Sequence, residues 1–137
     1  MRLSIGTGSA LVWLARGSTS GELIRDLVVN GQRIASVTPL ISATVADVKD
    51  FGNLTHTIAF AVDRQHANLE AANLFAFLHP ASLKSATGTI TAVSEAGGSE
   101  QTIYLKSAVI TAVGIQLAGI STATAYQIAC GDITTTP

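Results

Sequence analysis

The densest polar run in this chain is Asp63-Arg64-Gln65-His66, with His56 upstream of it and His79 thirteen residues after His66. Carboxylate, guanidinium and imidazole are the side-chain types of general acid-base chemistry, and imidazole with carboxylate can also hold a metal. The pattern supports neither. A kinase-type loop runs His-Arg-Asp with an Asn further on, and that order is absent. At helical rise, thirteen positions separate His66 from His79 by about 20 Å, too far for one ion. His56 shares the strand face of Arg64 but lies far along it. Cys130 is the sole cysteine, with no His near it in sequence, and neither a disulfide nor a thiolate metal site can form within the chain. It reads as a small buried hydrophobe near a strand end. No Gly-x-Ser-x-Gly elbow is present. Gly6 to Ala10, GTGSA, lacks the lysine of a phosphate loop, and strand-like ALVWL follows where a helix would be needed. It reads as a turn. The expectation is a chain that is not an enzyme, with no catalytic, cofactor-binding or metal residues, no cofactor and no small-molecule substrate.

The elements that must position this polar run are a strand and a helix. From Thr57 to Arg64, Ile58, Phe60 and Val62 alternate with Thr57, Ala59, Ala61 and Asp63, the period of a half-buried strand. Arg64 falls on the apolar face, expected where the sheet rim meets solvent. Residues 65–67 turn the chain, Asn68 is the helix cap and Glu70 sits in the first turn. Ala71, Ala72, Leu74, Phe75 and Leu78 recur at helical spacing, so the helix spans about Asn68–His79, ends before Pro80 and packs its Leu74, Phe75 and Leu78 side on the sheet. The polar run then serves the backbone groups left over at two element ends.

The rest reads as strand. LIRDLVV and QRIASV flank Asn30-Gly31, a type I′ hairpin signal. GTITAV, QTIYLK, AVITAVGIQL and TATAYQIAC predict an antiparallel meander, with Lys106-Ser107 as one of its turns. The fold class expected is α+β, predominantly β: an antiparallel β-sandwich or open barrel with one flanking helix. Residues 1–137 form a single β-rich domain with a loose tail at 134–137. A long apolar connection at 38–53 carries Pro39, Leu40, Ile41, Val45, Val48 and Phe51. Connections of that length are usually functional. These six are candidate inter-subunit contacts, and a short helix or strand packed on its own domain is the alternative.

Composition points to assembly. Eight Lys and Arg against nine Asp and Glu give a net charge of -1, which offers no general attraction for nucleic acid or an anionic membrane. Only 12% of residues are charged while 47% are apolar, and mean hydropathy is +0.42. Half the usual charge leaves uncharged groups to cover the surface, which suits burial between subunits. The N-terminal MRLSIGTGSALVWLARGS is broken by Gly6 to Ser9 and reads as neither a signal peptide nor a span. A soluble, unprocessed protein made in the cytoplasm is expected.

The stretch TVADVKDFGNLTHTIAFAVDRQHANLEAANLFAFLHPASL, with Thr-rich strands ending in STATAYQIACGDI, resembles small tail proteins of tailed bacteriophages, the class of tail-tube and distal-tail baseplate subunits. The resemblance runs from Leu23 onward and rests on element order, the strand-to-helix segment and composition. It implies a virion protein made in a bacterial host, forming hexameric rings that line a channel for the genome. Its partners would be itself, other tail proteins and DNA in transient, non-specific passage, with no membrane. Asp47, Asp50, Asp63 and Glu70 would be lumen or ring-contact candidates, and 38–53 an arm between rings. A head-decoration protein, a tail terminator or a small surface binding module of a virion is the alternative.

Overall fold

A computed structural model describes residues 1–39, 46–94 and 100–137, with Thr19, 33–39 and 46–54 described through their backbone alone. Its strands are β1 (Arg2–Ile5), β2 (Val12–Ala15), β3 (Leu23–Pro39), β4 (Ala46–Gln65), β5 (Thr87–Ser94), β6 (Gln101–Ala118), β7 (Ser121–Cys130) and β8 (Asp132–Thr134), and one α-helix, α1 (Leu69–Ser82), follows β4. All pairings are antiparallel. The eight strands form one sheet in the order β2-β1-β5-β6-β7-β4-β3, with β8 beside β6. The fold is α+β and predominantly β, with one helix, and the sheet is open.

Alternation builds the core. Ile58, Phe60 and Val62 of β4 and Tyr126, Ile128 and Cys130 of β7 point inward, where Leu3, Ile5, Leu14, Ile90 and Leu105 meet them. Because β1, β2 and β5 share this core with β4, the sheet curls over itself, leaving a seam beside β2.

Several local expectations change. Asn30-Gly31 is not a hairpin turn: both lie inside β3, opposite Thr57 and His56. A ladder in register on both sides of the pair outweighs a two-residue turn preference. The same ladder absorbs much of the 38–53 span, since β3 runs to Pro39 and β4 begins at Ala46, opposite each other. QTIYLK and AVITAVGIQL are one strand, β6. Lys106-Ser107 is a bulge in it, with Ser107 at φ 54°, and the Gly131 amide donates to the Lys106 carbonyl at 3.0 Å. Such a bulge bends the strand; β8 pairs with β6 only before it and β7 only after it, while β5 pairs on both sides, to Val109.

GTGSA is a turn between β1 and β2, closed by a 3-10 turn at Gly8–Ala10. Gly6, at φ 84°, is required there, because a Cβ would stand 2.6 Å from the Ala10 carbonyl oxygen. At the other end, β8 reaches Thr134, whose hydroxyl accepts from the Thr136 amide at 3.1 Å.

Helix α1 starts as expected: the Asn68 side chain accepts from the Ala71 amide at 2.8 Å. It continues past Pro80 to Ser82. Pro80 lies in the last turn, where the Ser82 hydroxyl donates to the His79 carbonyl at 2.7 Å and the Leu83 amide to the Pro80 carbonyl at 3.2 Å. The face turned to the sheet also differs from expectation. Ala72 is fully buried and Phe75 and His79 point inward, whereas Leu74, Phe77 and Leu78 are exposed. Alanine at the contact lets the helix come close, and the larger Leu side chains turn out.

Candidate functional site

The polar run ends β4, and pleating sends its successive members to opposite faces. Arg64 follows Ile58, Phe60 and Val62 inward and is only 7% exposed, so it is a core residue rather than a rim residue. Its partner strand carries the same parity, bringing Thr122, Thr124 and Tyr126 to it. A charge that deep must be paired and saturated with hydrogen bonds.

Arg64 is saturated. Its Nε donates to Glu22 Oε1 at 3.1 Å, Nη1 to Thr124 Oγ1 at 3.0 Å, and Nη2 to Tyr126 Oη at 3.2 Å and to the Leu14 carbonyl. The second Glu22 oxygen accepts the Arg16 amide. The Leu14 and Arg16 contacts fall on β2 and the residue just after it, at the end of the sheet. Side chains there do the work of a neighbouring strand, and the open seam is bridged, instead of by a ladder, by the hydrogen bonds that the Arg64–Glu22 pair makes with the Leu14 carbonyl and the Arg16 amide.

Above the guanidinium lies the ring of Phe75, its centroid 4.8 Å from Arg64 Cζ. Phe75 stacks on His79 at 4.5 Å and meets His66 at 5.0 Å. Both imidazoles therefore belong to one cluster, against the separation read from helical rise. His66 precedes the helix, and its amide donates to the Ile120 carbonyl at 2.8 Å, which turns it back under α1. Its Nε2 is 2.9 Å from Thr122 Oγ1. His79 Nε2 is 2.5 Å from Tyr126 Oη. Since Arg64 donates to that phenol oxygen, the phenol proton is free to go to His79, which assigns a neutral imidazole accepting at Nε2.

The electrostatics agree. Burial, then the Arg64 charge, lowers His79 to about 4, and the same causes in the same order lower His66. Burial raises the Tyr126 phenol. Burial, with Asp132 adding to it, raises the Cys130 thiol. Both carboxylate oxygens of Glu22 and all three guanidinium nitrogens are engaged, and no activated nucleophile adjoins them. The arrangement is a clamp that ties α1, β4, β7 and the edge strand β2 together. Beside it, a cleft of about 470 Å³ separates Trp13, Arg16 and Glu22 from Phe75 and His79, with Arg16 stacked on Trp13 at 5.7 Å.

Asp63 and Glu70 stand apart from this cluster. Asp63 points outward and pairs with Arg25 at 2.9 Å, and Arg25 also pairs with Asp26 at 2.7 Å. The Asp63 hydrogen bond is the main reason the Arg25 pKa is raised. Glu70 is exposed in the first turn of α1. Leu40, Ile41 and Val45 lie outside the described residues; Pro39, Asp47, Val48, Asp50 and Phe51 lie in β3 and β4, where only the backbone is described. Among the described residues no group of three His, Cys, Asp or Glu side chains is placed to hold a metal ion, and no helix is long and apolar enough to cross a membrane.

Glu22, Tyr126 and Thr124 are members that sequence reasoning missed. One signal pointed to them: an arginine at inward parity requires a carboxylate and several acceptors, and TATAYQIAC offers hydroxyls at inward parity too. The chain matches no protein-family model and no curated protein.

Proposed function

We propose that this chain is a structural subunit that self-assembles, a ring or tube component of a virion in the manner of phage tail proteins, with assembly in place of catalysis. The observation that carries this reading is a two-stranded ribbon. Strand β4 pairs with β7 only from His56 to Gln65, while its pairing with β3 continues to Ala46. Beyond His56 the ribbon of β3 and β4 pairs with no third strand among the described residues. Two strands alone are marginal in water, and about ten residues of strand reach some 30 Å. A ribbon that long is stabilised by lying on a neighbour, which is the part an arm between rings plays. The clamp fits the same role, since it makes a rigid body for the arm to project from.

In this reading the partners are further copies of the chain and other tail proteins, DNA passes without being held, and the protein resides in the virion. Size-exclusion chromatography with light scattering and negative-stain microscopy should show rings or tubes; a stable monomer at high concentration overturns the reading. Deleting Pro39 to Lys49 should keep the β-rich circular dichroism and stop growth. Loss of folding instead would make the ribbon part of the core.

A further inference from the structure

The outward faces of the sheet and of α1 are complementary in shape. On the sheet, cross-strand register sets Arg25, Ala61, Ala125 and Gly114 in one row across β3, β4, β7 and β6. Two alanines and a glycine leave that row low between longer neighbours such as Gln116 and Gln127, and a trough of about 540 Å³ results. Its charged lining is Arg25 and Asp26, both at the β3 end. A Cβ on Gly114 would meet nothing within 4 Å, so none of the described residues fills the space directly above it.

On the helix, Leu69, Leu74, Phe77 and Leu78 are all more than half exposed, and Phe77 stands highest at 79%. Glu70 is the one charged residue of α1. A helix with its inner face already packed and a second apolar stripe outside is one meant to be covered. At roughly 100–150 Å² apiece these side chains present about 450 Å², the size of the largest apolar patch on a typical monomer.

We propose that the outward face of α1, led by Phe77, seats in the Ala61-Ala125-Gly114 trough of a second copy of this chain, joining subunits head to tail. The proposal rests on the self-assembly reading and names one surface pair that performs it. Charge sets the direction of the helix. Lys84, exposed, follows Phe77 by seven residues, about 10 Å along the helix and its closing turn. With Phe77 over Ala125, two strand spacings, again about 10 Å, lead to Arg25. Arg25 sits between Asp26 and Asp63, two carboxylates against one guanidinium, and Lys84 balances the excess.

Knob and trough are different surfaces, so the contact is heterologous and each subunit uses both, closing a ring or continuing as a filament. One such contact buries roughly 900 Å² in total, small for a specific interface. Closure, which engages both faces of every subunit, then adds to the stability of the single contact.

Two substitutions at exposed, open positions test this by light scattering after size exclusion, with circular dichroism confirming each fold. Phe77→Asp removes the knob, and Gly114→Trp fills the trough. Each should convert the assembled protein to monomer. Mixed in equal amounts, the two should form a dimer and stop there, because one intact trough meets one intact knob. Lys84→Glu should weaken assembly about fivefold at low salt, with the difference fading toward 1 M. Wild-type assembly that survives both Phe77→Asp and Gly114→Trp overturns the docking and leaves self-assembly standing. Two monomeric variants that do not pair when mixed overturn the head-to-tail geometry. A monomeric wild type overturns both readings.

Discussion

Asp63 and Arg64 are neighbours in one strand, and each belongs to an arginine-carboxylate pair, yet the two pairs are different objects. Asp63 meets Arg25 on the outer face at 2.9 Å, with side chains 41% and 46% exposed. Arg64 meets Glu22 on the inner face at 3.1 Å, with side chains 6% and 13% exposed. The shorter contact is the weaker one for stability. Water screens the outer pair, and holding two long side chains costs entropy. The inner pair is shielded, and losing one partner leaves the other charge, the Leu14 carbonyl and two hydroxyls without their main donor. The inner face holds the subunit together, and the outer pair adds little to it.

The sharpest way to break this comparison is Arg64→Ala, expected to cost about 3–5 kcal/mol in urea unfolding. A double-mutant cycle of Arg64 with Glu22 should show strong coupling. Less than about 1 kcal/mol for the single substitution would mean that the inner pair is solvated after all.

Acid should separate the faces next. His79 titrates at about 4 in the folded protein against about 6.5 in an unfolded chain, so the unfolded state binds the proton first. Stability is complete above pH 6.5 and falls as pH drops from 6.5 toward 4, and the lowered His66 adds in the same direction. A full shift of that size is worth about 3 kcal/mol, and water around the partly exposed ring reduces the expected loss to about half. The urea midpoint should follow this profile, and His79→Gln should remove most of its slope. A flat profile between pH 7 and 4 would show that the imidazoles lie outside the clamp.

Asn68→Ala removes the cap of α1 and should cost about 1 kcal/mol, read as an earlier urea midpoint with unchanged slope. Smallest of all, Arg25→Ala should leave the urea midpoint within replicate scatter, with or without salt. A loss comparable to that of Arg64→Ala would erase the distinction between the faces.

How far the sequence was legible follows from the range of each interaction. The strand at Thr57–Arg64 and the Asn68 cap are legible because the pleat and the cap act over one to three residues. The inward parity of Arg64 is legible too. Its partner is not: Glu22 lies 42 positions earlier and comes opposite Arg64 only through the β3–β4 register, where Leu23 pairs with Asp63, while the curl of the sheet adds β2. The helix misled because two stripes overlap at helical spacing, Ala72-Phe75-His79 and Leu74-Phe77-Leu78. Periodicity marks both as apolar, and the clamp chooses between them by offering Arg64 and Tyr126 to Phe75 and His79. Asn30-Gly31 misled because a turn preference worth little was set against a ladder that extends past it.

By itself, then, the sequence determined what is periodic or local: a mostly β chain, one helix with its cap, and a charge too low to cover a free surface comfortably. Tertiary structure alone decided which helix face is inside, that two distant histidines share one phenylalanine ring, and that the hydrogen bonds of an ion pair bridge the seam of the sheet. Those outcomes depend on residues far apart in the chain meeting in a low-dielectric interior, where a charge must find its partner, and neither propensity nor spacing carries that information.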